Sequence, residues 1–325
     1  MRIFIAGGAG AIGSRLVPML VAGGHSVIAT TRTPDKIRRL RDQGAEPIVL
    51  DGLDREAVMK AVVSTHPDAI VHQMTALASM SSLKHFSDEF AVTNRLRTEG
   101  TSHLLAAARA AGTRKFVAQS YAGWRVERQG GRVKTEEDPL EANPPKALAS
   151  TIAAIRTVEQ MVSNAPGVAG TLLRYGSFYG PGTSISDKGD IVELIRQRKF
   201  PLIGNGAGVW SFIHVDDAAR ATQLAVERDA PGIYNIVDDE PAEVSVWLPE
   251  LARALGAKAP LRLPAWIGRF AVGDAGIWMM TRVRGSSNAK AKRTLGWQLE
   301  YRSWRDGFRR GLVADLPTVK YLRAV

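Results

Sequence analysis

The chain has 325 residues, 45% hydrophobic and 23% charged, a balance typical of a globular protein with one large domain and a smaller one. It contains no cysteine, which excludes disulfides, thiolate metal sites and cysteine nucleophiles, and we predict no metal site. The net charge of +11 is spread along the chain without a nucleic-acid-binding motif. We therefore expect a basic surface, or a basic cleft for an anionic ligand, and no nucleic-acid partner.

Nothing in the sequence resembles a targeting or membrane segment. The chain begins at once with a short strand and glycines, so we expect no signal peptide. The most apolar late segment, residues 264–281, contains Arg269 and Asp274 and is too short and too charged to cross a bilayer. We expect a cytoplasmic protein without a membrane partner.

Strands and helices alternate through the first 175 residues. The predicted strands lie at residues 2–6, 26–31, 47–50, 69–72, 115–119 and 168–174, and the predicted helices at residues 12–22, 34–43, 54–63, 98–111 and 148–162. Strict alternation predicts a parallel sheet with helices on both faces, and right-handed crossovers then give the doubly wound Rossmann arrangement of an α/β protein.

The alternation breaks after Gly180, where Gly and Pro become frequent and the elements shorten. We predict a Rossmann domain over residues 1–176, rejoined by about 209–237, and a smaller C-terminal substrate-binding domain over 177–325. Ser287 and Ser303 are predicted to open short helices near the C-terminus. The polar, Pro-rich loop at residues 127–145 is expected to be a mobile flap.

The strongest motif has the spacing GxxGxxG, directly after the first strand and at the start of a helix. Gly7 permits a tight turn, Gly10 lets the backbone approach a pyrophosphate, and Gly13 lets the helix pack on the strand. The helix N-terminus offers free N–H groups for the phosphates. We predict that these glycines, with Ala11 and Ile12, hold a dinucleotide.

The end of the second strand predicts which dinucleotide is bound. An acid there would accept hydrogen bonds from a ribose 2′-hydroxyl, but the sequence has Thr31 and Arg32. Arg32 can pair with a 2′-phosphate, and Thr33 and Lys36 are placed to contribute. The alternative is that Arg32 is a solvated loop residue. We predict NADP as the cofactor.

In order and spacing, these residues and several later segments resemble the extended short-chain dehydrogenase/reductase family, the NAD-dependent epimerase/dehydratase group. The resemblance covers nearly the whole chain. The later segments that carry it are residues 115–120, 173–174, 179–182, 213–217, 234–236 and 295–297. It implies that His214 and Asp216, in the Ile-His-Val-Asp-Asp segment, tie the two lobes together, with a catalytic role as the less favoured alternative.

The resemblance also places further residues around the cofactor. Asp51, just after the third strand and followed by Gly52, is expected to contact the adenine. Met74 and Thr75, in the loop after the fourth strand, are expected to line the ribose, and Tyr175, after the sixth strand, to border the cofactor.

The family's catalytic residues are a Ser or Thr after the fifth strand and a Tyr-x-x-x-Lys on the next long helix. Here the Tyr position falls on Thr151, the Lys position on Ile155, and the Ser/Thr position on Tyr121, directly after Ser120. No tyrosine lies between Tyr121 and Tyr175, so the motif is absent in any register.

Tyr121 is the candidate proton donor, because an unassisted phenol stays protonated at neutral pH. The alternative is that Tyr121 only packs beside the cleft. Ser120 is a second catalytic candidate, and Tyr179, in the loop expected to close on the nicotinamide, is the third. Since Ile155 offers no cation, we expect reduction rather than proton abstraction.

Nucleotide-sugar enzymes of the family carry an Arg-Asp pair where this chain has Trp210 and Ser211. An aromatic ring cannot replace the charge that holds a pyrophosphate, so nucleotide sugars are not expected as substrates. Trp124, Phe178 and Trp210 instead predict a pocket for a hydrophobic or aromatic small molecule, with ordinary core packing as the alternative for each.

We predict an NADPH-dependent reductase of a carbonyl or conjugated enone on a hydrophobic small molecule. One alternative is an epimerase or isomerase that retains and recycles its cofactor. The other is a non-catalytic NADP sensor, favoured by loss of the standard residues. An open aromatic pocket would argue for catalysis, and a filled one for the sensor. The resemblance also implies that the chain can form a homodimer.

Overall fold

The computed structural model of the chain describes residues 1–77, 86–123 and 130–313. Its strands are β1 (Arg2–Ala6), β2 (Ser26–Thr31), β3 (Glu46–Val49), β4 (Ala69–His72), β5 (Lys115–Tyr121), β6 (Val133–Lys134), β7 (Ala169–Tyr175), β8 (Ser177–Tyr179), β9 (Leu202–Ile203), β10 (Val209–Trp210), β11 (Phe212–His214), β12 (Gly232–Ile236), β13 (Ala242–Glu243), β14 (Arg262–Leu263) and β15 (Gly285–Ser286).

The helices of the same described residues flank and extend this set of strands. They are α1 (Gly13–Ala22), α2 (Ile37–Asp42), α3 (Arg55–Thr65), α4 (Phe86–Arg95), α5 (Thr101–Ala111), α6 (Lys146–Ser163), α7 (Asp190–Arg196), α8 (Val215–Glu227), α9 (Val244–Ala254), α10 (Ala265–Thr281), α11 (Ala289–Leu295) and α12 (Trp304–Arg310).

Seven strands form one sheet in the order β12-β7-β5-β4-β1-β2-β3, and every neighbouring pair is parallel. Apolar side chains of α1, α8 and α11 cover one face of the sheet, and those of α3, α5 and α6 cover the other. The predicted doubly wound α/β fold is confirmed. The edge strand β12 lies within residues 209–237, the range predicted to return to the first domain.

The largest difference from the predicted elements lies before α5. We predicted one helix over residues 98–111, but α4 precedes it, and a π-helical turn over Leu96–Gly100 joins the two. A π turn has one extra residue per turn and follows from tertiary contacts, so an apolar pattern does not reveal it. The predicted helix at residues 34–43 is a 3₁₀ turn, Pro34–Lys36, followed by α2.

The second lobe is built around an aromatic core. The rings of Trp247, Trp304, Phe212 and Phe308 are buried against one another under α9 and α12. Ser303 caps α12 by accepting a hydrogen bond from the backbone N–H of Arg305, as the predicted helix start requires. In the described residues, no helix is both long and apolar enough to span a bilayer.

The loop predicted to be a mobile flap is tied down where the structure describes it. Strand β6 pairs in parallel with β15, and Lys134 is buried beside Asp138. The expectation of a free flap is therefore wrong for this part of the loop, because backbone pairing with a distant strand was invisible to a composition argument. Residues 127–129 lie outside the described residues.

A buried ion pair joins α6 to the sheet. Glu159 on α6 accepts two hydrogen bonds from the guanidinium of Arg174 on β7, at 2.7 and 2.8 Å. The Ser120 hydroxyl, on β5, donates to the same carboxylate at 2.7 Å. All three side chains are buried, so the charges compensate each other in a medium that solvates neither.

Replacing Glu159 by Ala should lower the free energy of unfolding by about 3–5 kcal/mol, because Arg174 then keeps an uncompensated buried charge. Urea denaturation measures this loss. Gln160→Ala, one residue along α6 on the exposed face, is the control and should change stability by less than about 0.5 kcal/mol. A loss below about 1 kcal/mol for Glu159→Ala would contradict the account.

His72, at the end of β4, is a second buried titratable group. Its Nε2 donates to the carbonyl of Leu96 in the π turn, and its Nδ1 accepts from the N–H of Met74. Burial lowers the pKa of His72 to about 4, against the opposing hydrogen bond to Leu96. The ring is therefore neutral at pH 7 and holds the π turn against the strand.

Acidification from pH 7 to 5 should destabilise the protein through His72. Below pH 6.5 the His72 ring binds a proton in the unfolded chain, whereas in the folded chain the ring stays neutral until the pH approaches 4. The free energy of unfolding should fall by about 2 kcal/mol more in the wild type than in His72→Gln, which keeps a donor but does not titrate. Urea titrations at the two pH values measure this difference, and equal losses would show that His72 is not neutral when folded.

Candidate functional site

A cleft of about 910 Å³ runs along the edge where the parallel strands end. Residues at or just after the ends of β1, β2, β4, β5 and β7 form its floor, and residues of the second lobe form the opposite wall. Ligands of open parallel sheets bind at this edge, and the volume is that of a small-molecule site. No group of His, Asp or Glu that could hold a metal ion is found in the part of the chain that the structure describes.

The glycine loop after β1 has no room for side chains. Gly7 has φ +94°, and a Cβ there would lie 2.9 Å from the carbonyl oxygen of Gln73. A Cβ on Gly13 would lie 2.5 Å from the carbonyl oxygen of Gly8. Gly10 donates its N–H to the Gly7 carbonyl at 3.1 Å, which closes the turn. The loop therefore presents bare backbone to the cleft.

The start of α1 suits a phosphate. The helix begins at Gly13, no side chain caps it, and its first turn contains no acid. Ala11 and Ile12 line the cleft just before it. Uncapped N–H groups at a helix start attract anions through hydrogen bonding and the helix dipole. The residues present thus fit the pyrophosphate of a dinucleotide.

Two cations lie where the adenosine ribose of that dinucleotide would be. Arg32 and Lys36, beyond the end of β2, are exposed and border the cleft. Neither forms an ion pair within the described residues. Thr31 is buried, and its hydroxyl accepts from the N–H of Thr33 at 3.1 Å, which fixes the turn that carries Arg32.

The predicted adenine and ribose residues also border the cleft. Asp51 accepts from the N–H of Leu53 at 3.0 Å and is exposed at the rim, where Thr75 is exposed as well. Met74 is buried against Gly52, and its carbonyl accepts from the Gln119 amide at 2.7 Å.

Tyr175 forms part of the cleft floor, and its hydroxyl is held by hydrogen bonds to two neighbouring side chains. Its hydroxyl accepts from the Gln73 amide at 2.9 Å and lies 2.7 Å from the hydroxyl of Thr222. Burial raises the pKa of Tyr175, so the phenol stays neutral.

Tyr121, the predicted proton donor, lies in the cleft wall at the end of β5. Its hydroxyl is 3.1 Å from the Ser177 hydroxyl. Burial raises the pKa of Tyr121, while the Ser177 hydrogen bond and the positive charge of Arg97 act in the opposite direction. The phenol therefore carries a proton at neutral pH and has a hydroxyl neighbour from which the proton can be replaced.

The other two catalytic candidates lie differently. Ser120 borders the cleft, but its hydroxyl donates to Glu159 in the buried ion pair. Tyr179 does not line the cleft: its ring is fully buried and packs edge-on against Phe212 and Phe308. The expectation that Tyr179 faces the nicotinamide is corrected here, because the aromatic core of the second lobe holds the ring away from the cleft.

Two of the predicted substrate residues, Phe178 and Trp210, line the cleft. The Trp210 indole N–H donates to the carbonyl of Met279 at 3.0 Å, so its ring is fixed. Ser211 accepts from the N–H of Ser286. Neither residue supplies a charge for a pyrophosphate. Trp124 lies outside the described residues.

Several residues of the cleft wall were not predicted from the sequence, chiefly Arg97, Phe86, Phe90 and Ser177. Arg97 is an arginine on a helical segment, a pattern that usually marks a solvated face. Only the unpredicted π turn directs it into the cleft. Thr151 and Ile155, where the resemblance predicted the positions of the family's Tyr and Lys, are buried and do not border the cleft.

The segment after β11 ties the lobes together, as the resemblance implied. His214 accepts from the N–H of Asp216 and donates to the carbonyl of Gly311 at 3.0 Å. Arg15 on α1 pairs with Asp216 and donates to the carbonyl of Pro181. Arg15 thus connects the cofactor helix with the second lobe.

The chain is similar to known proteins along most of its length. Residues 3–237 match the NAD dependent epimerase/dehydratase family. A 3-diazoavenalumate denitrifying reductase of Streptomyces sp is 43% identical over 95% of this chain and 100% of that protein. A 2-alkyl-3-oxoalkanoate reductase of Stenotrophomonas maltophilia (strain K279a) is 28% identical over 88% of this chain and 86% of that protein.

Solved structures with a similar fold also align with most of the chain. The NAD complex of UDP-glucose 4-epimerase from Thermus thermophilus aligns with a TM-score of 0.72 and 26% identity, over 96% of this chain and 98% of that one. These matches support a reductase and a nicotinamide cofactor. The chain belongs to the NAD dependent epimerase/dehydratase family, is an enzyme, and falls within the extended short-chain dehydrogenases/reductases.

Proposed function

We propose that the chain is an NADPH-dependent reductase of a carbonyl or conjugated enone on a hydrophobic small molecule. One observation carries this proposal. Tyr121, a protonated phenol, lies in the wall of the same cleft that the glycine loop lines. The open volume beside it supports turnover over a purely sensing role, and the relatives named as reductases support the direction.

The preference for NADPH rests on charge. Arg32 and Lys36 offer two unpaired cations within the described residues where NAD enzymes use an acid. A 2′-phosphate carries the complementary charge and can accept a forked pair of hydrogen bonds from Arg32. The 2′-hydroxyl of NADH is uncharged and cannot form an ion pair with either cation.

When bound, the reduced nicotinamide supplies a hydride. Reduction of a carbonyl also requires one proton on the developing alkoxide. Tyr121 can donate that proton from its hydroxyl, and Ser177 at 3.1 Å can pass a replacement to it. Because burial raises the pKa of Tyr121, almost no phenolate is present at neutral pH to abstract a proton, which favours reduction over epimerisation through proton abstraction.

A second candidate substrate is an aryl diazo compound. It is favoured by the 43% identical relative, which is named for the denitrifying reduction of 3-diazoavenalumate. Transfer of a hydride to an aryl diazonium ion forms the C–H bond and releases N₂ without any further proton. Such a reaction would not need the Tyr-x-x-x-Lys pair that α6 lacks.

Arg32→Ala should weaken NADPH binding roughly tenfold to hundredfold, the usual effect of losing hydrogen bonds to a charged group. NADH binding should change less than twofold. Calorimetric titration with both cofactors measures this. Arg39→Ala, an exposed arginine on α2 away from the cleft, is the matched control. Tighter binding of NADH than NADPH by the wild type would contradict the preference.

Tyr121→Phe distinguishes the two substrate classes. For a ketone or enone, kcat should fall on the order of 10²-fold or more, because the proton donor is lost. For an aryl diazonium substrate, kcat should stay within about threefold, since no proton is needed at that step. Stopped-flow oxidation of NADPH measures both rates, and NADPH affinity serves as the control. An unchanged rate with every carbonyl substrate would remove Tyr121 from the mechanism.

A further inference from the structure

Arg97 is a cation inside the protein. It lies in the π turn Leu96–Gly100 between α4 and α5, and it is only 4% exposed. Arg97 borders the cleft, and its guanidinium carbon lies 5.9 Å from the centre of the Phe90 ring. Tyr121 is close enough for the positive charge of Arg97 to act on the ionisation of its phenol. Arg97 therefore faces the same space as the proposed proton donor.

Its hydrogen-bonding capacity is largely unused. A single long bond of 3.4 Å runs from the guanidinium to the side-chain oxygen of Asn94, and the buried Nε has no partner. No carboxylate of the described residues forms an ion pair with it, whereas Arg174 is held by two bonds to Glu159. Although burial lowers the pKa of Arg97 to about 10, the group is charged at neutral pH. A buried, charged and uncompensated donor is unfavourable unless a ligand completes it.

The side chain is also held in place. Asn94, which contacts the guanidinium, donates its amide to the hydroxyl of Thr151 on α6 at 3.1 Å. Thr151 is buried, and its helix is fixed to the sheet by the ion pair of Glu159. A fixed donor fork suits bidentate recognition of a planar anion.

We propose that Arg97 binds the carboxylate of the substrate, so that the enzyme acts on apolar, unsaturated or aromatic carboxylic acids. This inference rests on the proposed reductase function and names its substrate class. Phe86 and Phe90, stacked with ring centres 4.1 Å apart, line the cleft beside Arg97 and match an apolar body. Tyr121 then meets the reacting group while Arg97 holds the acid.

The cofactor is the other source of anionic oxygens, and position argues against it. The glycine loop follows β1 and Arg32 follows β2, on one side of β4 in the sheet. Arg97 lies on the side of the cleft where β5 ends with Tyr121. The start of α1 and the cations after β2 therefore account for the cofactor phosphates, which leaves Arg97 available to bind the substrate carboxylate.

The test compares acids with their methyl esters on the NADP⁺-loaded protein by calorimetry. The probes are 4-hydroxycinnamate, a 3-oxoalkanoate and a medium-chain alkanoate. The wild type should bind at least one acid more than tenfold tighter than its ester. Arg97→Met should reduce this ratio to near one and leave NADP⁺ affinity within twofold, and Arg97→Lys should retain part of it. Arg95→Met, at the exposed end of the preceding helix α4, should behave as the wild type.

The melting temperature distinguishes a ligand-binding Arg97 from a structural one, because loss of a structural arginine would lower it. Without ligand, Arg97→Met should melt at the same temperature as the wild type or higher, because an uncompensated buried charge is removed. Equal affinity of the wild type for acid and ester across the panel, an unchanged ratio in Arg97→Met, or a loss of NADP⁺ binding in that variant would overturn the inference. If acids bind as expected but no carbonyl or diazo compound oxidises NADPH, the reductase proposal fails and the anion site stands.

Discussion

The parallel pairing of the central strands is the constraint on which the site depends. Parallel strands all end at one edge, so the backbone loop after β1, the cations after β2 and the phenol at the end of β5 converge without being close in sequence. The close approach at Gly7 and Gly13 then brings a helix start to the same edge. The second lobe adds aromatic walls and is tied to the cofactor helix through Arg15.

Two buried arginines show how the same side chain serves different ends. Arg174 is compensated by Glu159 and by the hydroxyl of Ser120, and it fixes α6 against the sheet. Arg97 faces the cleft with one long hydrogen bond and no carboxylate within the described residues. Since desolvating a charge is unfavourable in both places, the difference in pairing separates a structural arginine from one available to a ligand.

Much of the cofactor half of the site could be predicted from the sequence. The glycine spacing, the missing acid before Arg32 and the strand–helix alternation are local patterns with one dominant physical reading. The fold followed because alternating elements allow few topologies. Tyr121 was found for the same reason, since a residue at the end of a predicted parallel strand must lie at the ligand edge.

The substrate half was less predictable because it depends on contacts between distant segments. The π turn that directs Arg97 inward, the pairing of β6 with β15, and the aromatic core that holds Tyr179 away from the cleft leave no local pattern. Ser120 was placed correctly at the edge, yet its hydroxyl is engaged by a glutamate on another helix. Side-chain partners of this kind require the folded coordinates.

A crystal structure of the protein with NADP⁺ tests the central claim most directly, because the whole account depends on where the two ends of the cofactor lie. The account predicts the pyrophosphate over the backbone of the glycine loop, the 2′-phosphate against Arg32, and the nicotinamide beside Tyr121, with free volume towards Arg97. A 2′-phosphate away from Arg32, or a nicotinamide that does not reach Tyr121, would contradict it.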